Sequence, residues 1–193
     1  MQPKVILTVL VWLISGCAAG GPTRRVSASY DDYTRQLLTV AADQDGDGRM
    51  DQWSYFDGAR PLRGEKDADA DGRIDRWEYF DATGTLLMVG TSTREDGIED
   101  TWTWPADAAG VGRVDHSRRR DRFVDRREFF AGGIVLRAEE DSNGDGRMDR
   151  WDRYERGVLR QAEFDTTFAS GRPDRRAVYD AAGRFERVEV VHR

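Results

Sequence analysis

The stretch Asp67-Ala-Asp-Ala-Asp-Gly-Arg-Ile-Asp75-Arg-Trp-Glu-Tyr-Phe80-Asp-Ala-Thr-Gly84-Thr-Leu-Leu-Met-Val89 decides how this chain folds. An acidic turn containing Gly72 leads into an aromatic segment, 75–80, and a short turn at Asp81–Gly84 leads into an apolar one, 85–89. Gly and Asp tolerate positive φ, so the short turn suits a hairpin. Residues two apart share a face of a strand, which sets Ile74 and Phe80 on one side and Trp77 and Tyr79 on the other. The unit reads as a β-hairpin preceded by an acidic loop.

The unit recurs. Asp47, Asp71, Asp96, Asp121, Asp145 and Ser170 open equivalent segments at intervals of 24, 25, 25, 24 and 25 residues. Self-similarity of this length marks an array whose units stack on their neighbours. Hairpin turns fall at Asp57-Gly58, Gly132-Gly133, Arg156-Gly157 and Asp180–Gly183. Between acidic loops, 12 to 13 residues hold two strands of ~5 residues and a tight turn. The expected fold is all-β: about six hairpin repeats of 24–25 residues, spanning residues 30–193, in an elongated antiparallel sheet or a solenoid. One face collects Met50 with Phe56, Ile74 with Phe80, Val124 with Phe130 and Met148 with Tyr154, and is the expected buried side. The other collects Trp53, Tyr55, Trp77, Tyr79, Trp102 and Trp104, then Arg127 and Phe129. Aromatics and arginines there are placed to stack across strands, or to receive a ligand.

At the start of the chain Lys4 precedes the apolar run Val5–Ile14, then Ser15-Gly16 and the single cysteine, Cys17. This reads as a cleaved secretory signal, residues 1–16. The run is shorter than the roughly 20 residues of a membrane-spanning helix. The segment Ile14-Ser15-Gly16-Cys17 resembles the lipobox of bacterial lipoproteins, and that resemblance implies a lipid chain on the Cys17 sulfur. A lone cysteine has no partner for an internal disulfide, and lipidation would use it. Ala18 lacks the aspartate that retains some members of that family at the inner membrane, so the resemblance implies the outer one. Residues 17–29, rich in Ala, Gly and Ser, read as a flexible tether.

The formal net charge is −6, and loss of residues 1–16, which hold Lys4 and no acid, would carry it to −7. Nucleic acid is not an expected partner, because phosphate binding needs clustered Lys and Arg and here the arginines alternate with aspartates.

Three loops carry acids at alternating positions: Asp43, Asp45, Asp47 and Asp51; Asp67, Asp69, Asp71 and Asp75; and Asp141, Asn143, Asp145 and Asp149. Each has Gly at the sixth position. This spacing resembles the EF-hand calcium loop. The resemblance implies calcium held by those side chains, by the seventh-position carbonyls of Arg49, Arg73 and Arg147, and by the twelfth-position acids Glu78 and Asp152. The calcium repeats of thrombospondin type 3 share the pattern, without cysteines here; dockerins share it too, but follow it with a helix. An acidic turn closed by its own N–H groups would use the same residues. Ser92 and Arg94, Ser117 and Arg119, and Thr166 and Phe168 stand where acids are needed in the other three loops, which are not expected to bind.

These readings converge on a membrane-anchored envelope lipoprotein whose calcium-binding β-repeats act as a non-catalytic structural or ligand-binding module. Its expected partners are the bilayer through acylated Cys17, calcium, and an envelope protein or polysaccharide. A helical EF-hand sensor is the main alternative. Catalysis is not expected: the acids recur once per unit, and His116 and His192 stand apart from any nucleophile motif.

Overall fold

A computed structural model describes residues 24–191. The expected signal, residues 1–16, and residues 17–23 of the expected tether, Cys17 included, lie outside the described residues, as does His192. Fourteen strands follow one another in the described chain: β1 (Val26–Tyr30), β2 (Leu37–Ala42), β3 (Gln52–Asp57), β4 (Arg60–Lys66), β5 (Arg76–Phe80), β6 (Leu86–Thr91), β7 (Thr101–Trp104), β8 (Val111–His116), β9 (Arg126–Ala131), β10 (Ile134–Glu140), β11 (Arg150–Glu155), β12 (Val158–Phe164), β13 (Arg175–Tyr179) and β14 (Phe185–Val190). Each pairs antiparallel with the next in one open sheet, with spatial order equal to chain order. The all-β hairpin array is therefore present, with seven hairpins instead of about six. The added one is β1–β2, whose first strand begins at Val26, inside the segment read as tether. No helix occurs among the described residues, which removes the helical-sensor alternative.

Short turns lie at one end of the strands and acidic loops at the other, because each hairpin reverses the chain and each loop reverses it back. In six of the seven hairpins the register shifts by a bulge near the short turn, as at Tyr55/Phe56 and Tyr79/Phe80. Such bulges raise the local twist, which a sheet of this width needs.

Only consecutive strands touch. With no second layer among the described residues neither face is sealed, so the expectation of one buried side is corrected: Phe56, Phe80, Phe130 and Tyr154 are all half-exposed. Cohesion within the sheet comes instead from transverse rows of side chains. On one face the row Trp53, Glu65, Trp77, Gly90, Trp102, Asp115, Arg127, Glu139, Trp151, Glu163, Arg176 runs strand to strand. Beside it Arg63 lies 5.6 Å from the Tyr79 ring, Arg113 3.8 Å from Trp104 and Arg137 3.5 Å from Phe129, each pair directly cross-strand. Gly90 is where this row lacks an acid, and Glu99, from the next loop, fills the space of the missing side chain and accepts the Tyr79 hydroxyl at 3.0 Å. Glu65 accepts that of Tyr55 at 2.8 Å one unit earlier.

On the opposite face Ala138, Ala162 and Ala177 lie at 2, 0 and 6 % exposure in one row. Their cover must come from longer side chains in adjacent rows, such as Arg150 over Phe164 at 5.5 Å. Enlarging a fully enclosed small residue forces neighbours off their rotamers. Ala162→Leu is therefore expected to lower stability by ~1–3 kcal/mol in chemical denaturation, whereas the same change at exposed Ala59 leaves it within about 0.5 kcal/mol.

Candidate metal-binding row of aspartates

One further row lies just beyond the strand ends, on the face that carries Trp53 and Trp77. Backbone N–H groups of Asp67, Ser92, Ser117, Asp141 and Asp165 donate across to the carbonyls of Asp51, Asp75, Asp100, Asp125 and Asp149 at 2.8–2.9 Å. The register of the strands places Asp43 beside Asp51 and Asp174 beside Asp165 in the same way. The first and ninth residues of loops 1 to 5, with the first and tenth of loop 6, thus form one line: Asp43, Asp51, Asp67, Asp75, Ser92, Asp100, Ser117, Asp125, Asp141, Asp149, Asp165, Asp174. All but Asp174 are buried. Side chains opposite one another in a sheet are about 5 Å apart, so this is a row of carboxylates that needs compensating positive charge.

The loops' own backbones supply part of it. Asp43 accepts N–H groups of Gly46 and Gly48 at 2.6 and 3.0 Å, and Asp51 accepts those of Gln44 and Asp45 at 2.8 and 3.3 Å. Asp67 accepts from Gly72 at 2.8 Å, and Asp75 from Ala68 at 2.8 Å. The fourth position takes positive φ in every loop, including Ala70, Glu95, Arg120 and Phe168, which turns the N–H groups inward whether or not the acids are complete.

Loops 1 and 2 retain more acid than their backbones satisfy. One carboxylate oxygen each from Asp43, Asp45 and Asp51 lie within 4.8 Å of one another, and so do those from Asp67, Asp69 and Asp71. The Oδ1 atoms of Asp51, Asp67 and Asp75 are buried without a hydrogen-bond partner. Orphaned buried carboxylate oxygens in an acidic cluster fit a hard cation. Asp47 accepts the Arg49 N–H at 2.7 Å and stays exposed outside its cluster.

Loop 5 differs. Asp141 accepts Gly144 and Gly146 N–H groups at 2.6 and 2.9 Å, Asp149 accepts from Ser142 and Asn143, and Arg119 reaches Asp141 at 3.2 Å. Asn143 and Asp145 bond the N–H groups of Asp145 and Arg147. This loop's acids are already answered.

Nor does the structure bring Glu78 and Asp152 to their loops. Positions nine and twelve share a face on a helix but lie on opposite faces of a strand. Glu78 accordingly sits on the far face and pairs with Arg76 at 3.0 Å, and Asp152 with Arg150 at 2.9 Å. Of the aromatic face, Trp77 is 6 % exposed and offers little surface to a ligand.

Two elements escape a reading by spacing. Loop 6 has one extra residue, so its first position is Asp165, 1 % exposed, and not Thr166; the signal was its place directly after β12, where Asp43 follows β2. The other is arginine. Arg120 pairs with Asp96 and lies 3.3 Å from Asp100, and Arg118 lies 3.0 Å from Asp125 and 2.7 Å from Glu140.

The bonding leaves its mark on titration. The Arg120 guanidinium, ahead of the Ile98 N–H and Ser92 hydroxyl, holds Asp96 down at about 2. The Thr167 and Ser170 hydroxyls and the Gly171 N–H hold Asp165 well below the ordinary range. Burial pushes Asp141 up, but Gly146, Gly144 and Arg119 outweigh it and leave the group lowered. Burial raises Asp115 despite Arg127 and Arg113, so this one group opposes the trend. A lowered folded pKa contributes stability above the unfolded value of about 4 that is lost as pH falls through the folded one. The melting midpoint is expected to hold from pH 7 to 5 and to drop steeply between pH 4 and 2; a midpoint flat across that lower window would contradict these bonds.

Comparison of the sequence with family models finds no match, and comparison with curated proteins finds no relative.

Proposed function

We propose that the protein is a lipid-anchored envelope component in which calcium stiffens a non-catalytic β-repeat ribbon. The observation that carries the reading is the set of buried, unpartnered oxygens on Asp51, Asp67 and Asp75 beside the two carboxylate clusters. Asp43, Asp45 and Asp51 would supply one group of oxygen ligands and Asp67, Asp69 and Asp71 another, with the carbonyls of Arg49 and Arg73 as further oxygen donors. Calcium suits them because it accepts 6–8 oxygens in adaptable geometry. Loop 5 would bind only in competition with Arg119. Ion binding to the folded state alone adds about 2.7 kcal/mol per site at a hundredfold excess over Kd, which matters for a sheet without a sealed core. The anchor rests on the resemblance of Ile14–Cys17 to a lipobox, and the outer membrane on Ala18.

A spacer or a docking surface is the module's role in this reading. A polysaccharide or envelope protein would meet the face bearing Trp53, Tyr55, Tyr79, Trp102 and Trp104, where the rings are half-exposed.

Two measurements test the reading. Thermal melting in millimolar calcium is expected to run several degrees above melting in chelator, and equal midpoints would remove the metal. Cys17→Ser is expected to release the protein from the membrane fraction and to abolish the acyl mass increment of the extracted native protein; an unchanged fractionation would remove the anchor.

A further inference from the structure

The first two loops differ from loops 4 and 5 in one respect that bears on where an ion sits. The ninth residue of each loop lies directly across from the first residue of the next. Two seams of this kind in the first five loops bring two carboxylates face to face: Asp51 with Asp67, and Asp125 with Asp141. At the second, Arg119, the third residue of loop 4, spans the seam, with Nη2 3.2 Å from Asp141 and Nε 3.8 Å from Asp125. Its backbone N–H also donates to Asp125 at 3.1 Å, just as that of Asp45, the third residue of loop 1, donates to Asp51 at 3.3 Å. The two seams are built alike, but where loop 4 presents a guanidinium, loop 1 presents a carboxylate.

The third-position charge at the first seam is therefore reversed, and an oxygen each of Asp51 and Asp67 stays without a hydrogen-bond partner although Arg49 lies beside them. Asp45, Asp51 and Asp67, with Asp47, Arg49 and Trp53, line a cavity of about 310 Å³. Asp51 and Asp67 are 8 % and 7 % exposed, and the Oδ1 of each has no partner.

From this we infer that a divalent cation occupies the seam between loops 1 and 2, bridging Asp45 and Asp51 of one repeat to Asp67 of the next in the place that Arg119 fills between loops 4 and 5. This deepens the calcium reading and rests on it. The ion becomes a cross-link between repeats and not a ligand private to one loop, and hard oxygen ligands select calcium or a similar cation.

The test is a double-substitution cycle on the full chain, read by calorimetric titration with calcium and by melting with and without chelator. Asp67→Ser introduces the residue that stands at the same place in loops 3 and 4, Ser92 and Ser117, and Asp45→Arg copies loop 4, so both are compatible with the fold. A shared ion predicts that either change weakens the same binding step at least about tenfold, the loss that even an outer-shell partner can cause. The double variant is then no worse than the more severe single one, and Asp45→Arg loses the chelator-sensitive part of its melting from this seam. If Asp45→Arg affects one step, Asp67→Ser a different one, and the double variant loses both, the ions are private to their loops: the bridge is overturned while the calcium reading stands. No calcium heat in the unsubstituted protein overturns both.

Discussion

A line of buried carboxylates, placed side by side by backbone hydrogen bonds, is the constraint on which this molecule depends. The loops return each chain to the sheet at the same height, so Asp43, Asp51, Asp67 and their successors cannot avoid one another. Neighbouring like charges that are shielded from water repel by several kcal/mol at the effective dielectric of a protein edge. Backbone N–H groups answer some of that charge in every loop. The rest is answered by arginine from loop 3 to loop 5, and in the first two loops oxygens of Asp51, Asp67 and Asp75 are left without a hydrogen-bond partner.

The same logic of neighbours governs the sheet. Wide, open sheets with solvent on both sides are uncommon and rest on side-chain ladders instead of a core. Here the ladders alternate aromatic or arginine with acid, so that stacking and pairing propagate together. Glu99 shows how strictly the alternation is kept, since a loop residue stands in where β6 offers only Gly90. The last strand of the described sheet, β14, carries Glu186, Arg187 and Glu189, charges of the kind that discourage edge-to-edge pairing.

Much of this was legible in the residues. The 24–25-residue period, the glycine turns and the alternation of Trp77 and Tyr79 with Glu78 point to hairpins in series, and the fold follows. The acids at the first, third and ninth positions were equally plain. What was hidden depends on register. Glu78 looks like a ligand if the chain continues as a helix, and the strand turns it to the other face. Thr166 looks like a first position until the extra residue in loop 6 is counted. Arg119 looks like a missing ligand, and only the juxtaposition of Asp125 and Asp141 shows it to be a counter-ion. The burial of one whole face was misjudged because alternation tells which residues share a side, not whether anything covers it.

Because every strand touches only the strands before and after it, no element among the described residues closes the length of the sheet. A duplicated or deleted hairpin would leave all other contacts as they are and change the span by two strand spacings, about 10 Å. Such a ribbon is a ruler whose reach evolution can set in even steps.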